Sequence, residues 1–272
     1  MKIFKDRKYL NKEIYKTSNL GFVPTMGGLH NGHKYLIKKA KKRSQKVVVS
    51  IFINPKQFNS KKDFKNYPRN LKKDLNILKK LKVDYVYLPN NKDIFSFKTK
   101  KKIFEDRFSK KLCGKFRKKH FKGVLIVVNR LLEIINPKYL FLGNKDFQQL
   151  SLILMHIKKR KIDTKIVPCK TIREKSGIAC SSRNFSLTKR EKKIASNIYT
   201  YLKKKKKLIK INKKLKKQLI SISKQVKRLG VSKLEYLELL NLKNLKKPLS
   251  SKNKFNIFLA YYVGNVRLID NF

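Results

Sequence analysis

The sequence is poor in cysteine and contains no long apolar run. Its three cysteines, Cys113, Cys169 and Cys180, are odd in number and form no C-x-x-C pair, so they indicate neither a disulfide framework nor a structural zinc site. No apolar run approaches the ~18 to 20 residues that a membrane-spanning helix needs. Charged residues interrupt the N-terminal stretch MKIFKDRKYLNKEIYK every two or three positions. We therefore expect a cytoplasmic protein in a reducing compartment, with no export signal and no membrane partner.

Acidic residues are also scarce. The 272 residues include only 16 Asp and Glu against 72 Lys and Arg, which gives a formal net charge of +56. Such an excess suggests a polyanion partner. However, only 12 of the basic residues are arginine, the type favoured for reading bases and gripping phosphate, and residues with A/T-rich codons (Lys, Asn, Ile, Phe and Tyr) are abundant from end to end. We therefore attribute the charge to genome composition and expect no specific nucleic-acid partner.

What the sequence does contain is the alternating pattern of an α/β protein. Hydrophobic residues make up 41% of the chain and aromatic residues 11%, as in a globular protein. Residues 20–25 and 47–54 are continuous apolar runs, typical of strands buried on both faces of a parallel sheet, and residues 32–44 between them have helical spacing. The pattern continues with helices at 68–81, 122–135 and 147–159 and strands at 84–88, 139–142 and 165–167. The sequence predicts a doubly wound, Rossmann-like parallel sheet over residues 1–171.

The pattern changes after residue 171. Long helical patterns cover residues 188–206 and 212–229, and alternating stretches follow at 234–240, 255–263 and 266–269. These features predict a second, smaller α+β domain over residues 172–272. We interpret the lysine run at 203–207 as a solvated helix end rather than a basic recognition patch.

The turn PTMGGLHNGH at residues 24–33 carries the strongest local signal for chemistry. Four of the ten glycines lie between Gly21 and Gly32, and His30 and His33 are two of the four histidines. Glycines let the backbone approach a phosphate closely, and a helix start offers free N–H groups and the positive end of a dipole. The alternative is a tight turn with incidental histidines. We favour the anion site, because two imidazoles three positions apart can face the same anion.

The H-x-G-H spacing of this turn resembles the class I nucleotidyltransferase superfamily, whose members bind ATP there. Alone, it leaves aminoacyl-tRNA synthetases, nucleotide adenylyltransferases and pantoate–β-alanine ligases open. The flanking motifs decide among these families. The strings PTMGGLHNGH, VVVSIFINPKQF, YPRNLKKD, GNKDFQQL and REKSGIACSSRN, followed by VGNVRLIDN near the C-terminus, resemble in order and separation the pantoate–β-alanine ligase family.

The resemblance implies a reaction in two steps. The carboxylate of pantoate attacks the α-phosphate of ATP to give pantoyl adenylate and pyrophosphate, and the amine of β-alanine then displaces AMP. It also implies a homodimer and a second domain that closes over the active site. Two alternatives stay open: another H-x-G-H adenylyltransferase, or a basic nucleic-acid-binding protein whose motifs are relics.

The resemblance assigns roles to individual residues. His30, His33 and Lys145 match the catalytic positions, with His33 as the proton donor. Gln57 and Gln149 match positions that hold pantoate, Gln57 also lies against β-alanine, and Met26 lines the substrate site. The positions that match the ATP site are Met26, Gly27, Gly28, Leu29, His30, Asn31, Gly32, His33, Gly143, Asn144, Lys145, Asp146, Ile172, Cys180, Ser181, Ser182 and Arg183.

Five positions depart from the family pattern. They are Asn31 and Ser176 in place of Asp, Asn144 in place of Glu, Lys56 in place of Met, and Lys73 where the family tends to have an acid. Asn31, Ser176, Asn144 and Lys73 each lack a family acid, and Lys56 adds a base, so all five shift the charge in the same direction as the chain as a whole. We therefore interpret them as drift around an intact site.

Mg²⁺ is expected to arrive with ATP and to be held by phosphate oxygens. We expect Asp74 to be at most an outer contact and expect no protein ligand to the metal. Two roles stay open for Arg117: a contact to phosphate, or a structural salt bridge. His156, among apolar neighbours, is expected to be structural.

Overall fold

The computed structural model of the chain describes residues 1–248 and 254–272, and for residues 61 and 62 it describes the backbone alone. The chain divides into two units: the first comprises Met1–Lys110 and Arg117–Ile172, and the second comprises Lys111–Phe116 and Arg173–Phe272. The segment Lys111–Phe116 lies within the range that the sequence analysis gives to the first domain, but it belongs to the second unit.

Among the described residues, a six-stranded sheet forms the centre of the first unit. Its strands are β1 (Lys2–Phe4), β2 (Leu20–Thr25), β3 (Lys46–Ile51), β4 (Tyr85–Tyr87), β5 (Tyr139–Gly143) and β6 (Lys165–Cys169). They follow the spatial order β1-β4-β3-β2-β5-β6, and the neighbouring strands pair in parallel. The inner strands β2 and β3 are buried along most of their length, as their uninterrupted apolar runs predict.

Helices connect these strands. In the first unit they are α1 (Arg7–Ile14), α2 (Asn31–Arg43), α3 (Lys61–Lys65), α4 (Leu71–Lys80), α5 (Asn91–Phe95), α7 (His120–Ile135) and α8 (Phe147–Lys159), while α6 (Cys113–Phe116) lies in the second unit. Helix α2 packs through Ile37 and Ala40 against Val23 and Val47 of the sheet. The prediction of a doubly wound α/β sheet is confirmed.

The order of the strands reverses between β2 and β5. From β2 the chain builds outward through β3 to β4, and it then returns to add β5 on the other side of β2. Open α/β sheets bind ligands in the crevice outside the carboxyl ends of the strands at such a switch point. Here those ends are Thr25 and Gly143.

The second unit is an antiparallel sheet with two long helices. Within its described residues the strands are β7 (Lys233–Asn241), β8 (Phe255–Val263) and β9 (Val266–Asn271), in the order β7-β8-β9. Helices α9 (Lys189–Leu208) and α10 (Leu215–Arg228) share one apolar core with this sheet. The predicted α+β character of this part is confirmed.

Polar contacts tie distant parts of the second unit together. Arg173 forms two bonds to the Asp270 carboxylate at 2.6 and 2.9 Å. The Cys113 sulfur lies 3.0 Å from the Tyr236 hydroxyl and 3.5 Å from Nη2 of Arg267. The second pair of contacts explains why α6 belongs to this unit although the chain reaches it from β4 and α5.

Candidate active site

Helix α2 begins with a reciprocal cap made by two histidines. His30 is the N-cap residue, and its Nδ1 atom accepts the N–H of Gly32 at 3.1 Å. The Nδ1 atom of His33 accepts the N–H of His30 at 3.4 Å. The centroids of the two rings are 4.0 Å apart. The sequence forms this cap because an imidazole nitrogen, like a serine or aspartate oxygen, can satisfy the orphan N–H groups of a helix start.

Both imidazoles are neutral. Burial, followed by the neighbouring His33 and the charge of Lys145, lowers the pKa of His30 to about 2. Burial also lowers the pKa of His33 to about 4, with Asp146 opposing the change and Lys145 adding to it. Since each Nδ1 accepts a hydrogen bond, the ring proton is on Nε2. The two histidines are therefore neutral N–H donors.

The glycine turn between β2 and α2 is held by a carboxylate from α4. Gly27 and Gly28 have φ angles of +79° and +62°, which favour glycine. The N–H groups of Gly28 and Leu29 donate to Oδ2 and Oδ1 of Asp74 at 2.9 and 2.8 Å. Helix α4 carries Asp74 on its buried side, where only 3% of the residue is exposed. The carboxylate for which at most an outer metal contact is expected from the sequence thus bonds to the backbone of the turn.

Lys145 lies beside the two histidines at the end of β5. A 3-10 turn, Asn144–Asp146, leads from Gly143 into α8. The Lys145 ammonium is 3.4 Å from the Asp146 carboxylate, and its charge acts on both imidazoles. A Cβ atom at Gly143 would meet no atom within 4 Å, so there is open space above this strand end. The three residues predicted to be catalytic are brought together here.

Gln57 and Met26 are in contact at the ends of β3 and β2. Gln57 is 8% exposed, and its Nε2 atom approaches the Met26 sulfur to 2.6 Å. Its Oε1 atom accepts from Nδ2 of Asn54 at 3.2 Å. Asn54 is 1% exposed and also donates to the carbonyl of Gly123 at 3.1 Å. Sequence reasoning missed Asn54, although its position between a buried strand and Pro55 was a signal for a capping side chain.

The start of α7 packs against the backbone of Gln57. His120 bonds through Nδ1 to the Gln57 carbonyl at 2.6 Å, and Arg117 contacts the same carbonyl at 3.3 Å and the His120 ring at 3.0 Å. A Cβ atom on Gly123 would overlap the carbonyl of Lys56. Arg117 therefore has structural partners within the first unit, and they include Asp63 at 4.0 Å.

The two glutamines at the start of α8 differ in their surroundings. Gln148 is buried, and its Nε2 atom donates to the carbonyl of Phe108 at 2.8 Å. Gln149 is half-buried and points about 100° further around the helix. Among the described residues, the Gln149 side chain makes no hydrogen bond with the protein. The two positions thus combine one structural amide with one amide available to a ligand.

The remaining predicted ATP-site residues surround the start of the second unit. Ile172 is half-buried and is the last residue of the first unit. Cys180 and Ser182 are buried in the second unit. Ser181 caps the 3-10 turn Ser182–Ser186 by accepting the N–H of Arg183 at 3.3 Å. The predicted site residues are thus distributed over both units.

Within residues 1–248 and 254–272, no three His, Cys, Asp or Glu side chains are grouped so that they could hold a metal ion. Over the same ranges, no helix combines the length and the apolar character needed to span a bilayer.

Comparison with known proteins gives consistent matches over the whole chain. The model of the Pantoate-beta-alanine ligase family matches residues 2–272. Pantothenate synthetase of Francisella tularensis subsp. novicida is 41% identical over 266 residues, covering 97% of this chain and 92% of that protein. Pantothenate synthetase of Fervidobacterium nodosum is 38% identical over 267 residues, covering 98% and 95%.

Solved structures agree with these sequence matches. A pantoate-beta-alanine ligase from Francisella tularensis, complexed with Beta-gamma ATP and Beta-alanine, matches with a TM-score of 0.84 and 39% identity over 100% of this chain and 97% of that one. Pantothenate synthetase from Thermus thermophilus matches with a TM-score of 0.91 and 27% identity over 100% and 99%. The resemblance drawn from the motifs is confirmed, and the chain belongs to the pantoate–β-alanine ligase family.

Proposed function

We propose that this chain joins pantoate to β-alanine in an ATP-dependent reaction through a pantoyl adenylate, releasing AMP and pyrophosphate. One observation carries the proposal. Two neutral imidazole donors and the Lys145 ammonium lie together at the switch point of the sheet. The family membership and the ligands of the Francisella structure support the choice of substrates.

The first step builds negative charge on the α-phosphoryl group and on the leaving pyrophosphate. Fixed donors that are already oriented stabilise such charge without reorganisation. We assign this role to the Nε2–H groups of His30 and His33, together with the cation of Lys145. The role of His33 is donation of a hydrogen bond, because an imidazole with a pKa of about 4 is neutral at pH 7. The backbone and side chains of residues 26–32 and 143–146 line the same nucleotide site.

Pantoate is assigned to the two glutamines. Asn54 occupies the Oε1 atom of Gln57, so the Nε2 donor is the part of this amide directed at the Met26 sulfur. A hydroxyl or carboxylate oxygen is a stronger acceptor than a thioether, and pantoate provides both. Gln149 supplies the second amide, and Met26 provides apolar lining for the dimethyl carbon.

The second step is attack by the amine of β-alanine on the acyl carbon of the adenylate. The C–N bond forms as the C–O bond to AMP breaks, and the amine loses a proton. We place β-alanine near Gln57. Cys180, Ser181, Ser182 and Arg183 are assigned to the triphosphate, because two hydroxyls and a guanidinium suit phosphate oxygens.

Mg²⁺ is assigned to ATP itself. Asp74 already accepts two backbone N–H groups, whereas the side chain of Asp146 is 46% exposed beside Lys145. A carboxylate in this state fits an outer contact to a phosphate-bound Mg²⁺. When bound, the ion neutralises charge on the phosphate oxygens.

Three further properties belong to the proposal. The enzyme acts in the cytoplasm and forms a homodimer, which sedimentation of the purified chain would test. It has no specific nucleic-acid partner. A filter-binding titration against salt should therefore give a steep slope without preference for any sequence or structure. A preferred sequence at high salt would contradict this part.

The activity itself is tested by two assays on the purified chain. AMP release from ATP is expected to require both pantoate and β-alanine. Exchange of labelled pyrophosphate into ATP is expected to require pantoate alone, because the adenylate forms before β-alanine reacts. AMP release without pantoate, or exchange that requires β-alanine, would contradict the proposed sequence of steps.

A further inference from the structure

Three consecutive N–H groups in the turn between β2 and α2 are bonded to oxygen atoms of the protein. The Gly27 N–H donates to Thr25 Oγ1 at 3.2 Å. The N–H groups of Gly28 and Leu29 donate to the two carboxylate oxygens of Asp74. In a glycine-rich turn that binds phosphate through its backbone, such N–H groups are directed at the ligand. In this turn an aspartate carboxylate holds two of the positions that a phosphate would hold.

The contact between Asp74 and the turn is specific in its geometry. Asp74 is 3% exposed, and a buried carboxylate is costly unless hydrogen bonds compensate it. Bonds from N–H groups to an ionised carboxylate are about twice as strong as neutral ones. Gly27 fits the same contact, because a Cβ atom at its φ of +79° would lie 3.0 Å from Oδ2 of Asp74. The buried carboxylate of Asp74 therefore depends on the N–H groups of the turn for its hydrogen bonds, and those N–H groups depend on the carboxylate as their acceptor.

The contact ends directly beside the paired imidazoles. Leu29 is followed by His30, the N-cap of α2. Fixing the N–H of Leu29 fixes the direction in which the chain enters α2, and with it the orientation of both rings. A misplacement of a reacting group by about 1 Å can cost on the order of 10²-fold in rate.

We propose that Asp74 is a positioning residue: its carboxylate substitutes for a phosphate inside the turn and orients His30 and His33, so that the nucleotide phosphates meet imidazole N–H groups rather than the amides of Gly28 and Leu29. The identity of the nucleotide and of the reaction rests on the proposed function. The contact between Asp74 and the turn is independent of it.

The test compares Asp74→Ala and Asp74→Asn with the wild-type chain. The rate of pantoate-dependent pyrophosphate exchange per folded molecule should fall by about 100-fold in Asp74→Ala. It should fall by about 10-fold in Asp74→Asn, because an amide can accept one of the two N–H groups but presents an N–H to the other. Formate should restore much of the rate of Asp74→Ala in a saturable manner, whereas chloride at the same ionic strength should not. A residue needed only for folding would not show anion-specific rescue of the rate.

Hydrogen exchange provides a readout that does not depend on catalysis. The amides of Gly28 and Leu29 should exchange faster in Asp74→Ala than in the wild-type chain, and formate should restore their protection. Asp84→Ala is the matched control. Its carboxylate also accepts a backbone N–H, that of Val47 at 3.0 Å, but at the opposite end of the sheet, about 17 Å away for a six-residue strand. In this control the amide of Val47 should exchange faster, and the rate of pyrophosphate exchange should stay within about twofold of the wild-type rate.

Several outcomes would overturn the proposal. One is a pyrophosphate-exchange rate in Asp74→Ala within about threefold of wild type. Another is that formate restores the stability of Asp74→Ala but not its rate of pyrophosphate exchange. Should Asp74→Ala not fold, Asp74→Asn answers the question, and a wild-type rate in that variant overturns the proposal. If the wild-type chain shows no pantoate-dependent exchange, the proposed function fails. Unchanged Gly28 and Leu29 protection in the variants then overturns the role of Asp74 separately.

Discussion

The rings of His30 and His33 lie 4.0 Å apart, and each Nδ1 atom accepts a backbone N–H at the start of α2. A neutral pair suits this place, since the N-terminus of a helix carries partial positive charge and disfavours a second cation. The pair is thus set as two donors by the same bonds that begin the helix. Its consequences can be measured both in stability and in rate.

We expect the free energy of unfolding to decrease as the pH is lowered from 7 to 5. Burial lowers the pKa of His30 to about 2, and those of His33 and His156 to about 4, whereas an unfolded histidine has a pKa of about 6.5. Below pH 6.5 the unfolded chain therefore binds more protons than the folded chain. Each such histidine contributes a slope of up to ~1.4 kcal/mol per pH unit in this window. Urea unfolding at pH 7, 6 and 5 checks this, and a flat profile would contradict it.

The first step should be insensitive to histidine protonation near neutral pH. If His33 acts as a neutral donor, the rate of pantoate-dependent pyrophosphate exchange should stay within about threefold between pH 6 and 8. A histidinium with an ordinary pKa would instead lose activity about tenfold per pH unit above 6.5. The profile of kcat against pH distinguishes the two, and a tenfold loss from pH 7 to 8 would argue for the charged form.

Three substitutions at His33 separate capping from donation. His33→Ala should lower the exchange rate by about 10²-fold or more. His33→Asn keeps an acceptor near the Nδ1 position, so the helix start should stay stable while the rate remains as low as in the alanine variant. His33→Gln carries an amide donor near the Nε2 position and should recover part of the rate. A near wild-type rate in His33→Asn would contradict the assignment.

Gln149 and its neighbour Gln148 form a matched pair. Replacing Gln149 by Ala should weaken the binding of pantoate by about 1 to 3 kcal/mol, the cost of leaving a buried hydrogen-bond partner unpaired. It should barely change the Michaelis constant for ATP. Replacing Gln148 by Ala removes its bond to the Phe108 carbonyl, so it should lower the melting temperature and leave pantoate affinity unchanged. Equal losses for pantoate and ATP in Gln149→Ala would indicate a structural glutamine.

The Asn144→Glu substitution tests whether the missing acid matters. A carboxylate at this position restores the charge that the family pattern has before Lys145. If its loss is tolerated drift, the variant should keep or modestly raise activity, with a Michaelis constant for ATP within about threefold. A carboxylate that paired with Lys145 and competed with phosphate would raise that constant several-fold. Steady-state kinetics at matched ionic strength decide between these outcomes.

Local patterns were sufficient for the long, regular elements. The strands at Leu20–Thr25 and Phe255–Val263 and the helix at Phe147–Lys159 have the predicted bounds, because the first is a continuous apolar run, the second an alternating stretch and the third a clear helical repeat. Strand β1 and helix α1 were missed. Both are short and rich in charge, and they are held by contacts made far along the chain, such as the pairing of Lys2 with Tyr85 and the burial of Leu10 and Ile14.

The candidate site divides in the same way. The histidine pair and Lys145 could be found from the sequence, because a glycine turn after a buried strand is recognisable and Lys145 lies in the string GNKDFQQL, which resembles the family motif. The partner of the turn could not. Asp74 lies in a lysine-rich helix, and its bonds to Gly28 and Leu29 span 46 and 45 positions. No local period relates residues that meet only after the sheet has formed.

The position of the segment Lys111–Phe116 affects how the chain can be divided by limited proteolysis. Because it belongs to the second unit while the residues on either side belong to the first, the chain passes from one unit to the other at residues 110/111, 116/117 and 172/173. A protease that cleaves the chain once, at any of these three junctions, leaves the other two peptide connections between the units intact. Release of the C-terminal hundred residues as a fragment would also separate Tyr236 from the Cys113 thiol. Limited digestion should therefore yield nicked chains that stay together, rather than two free halves.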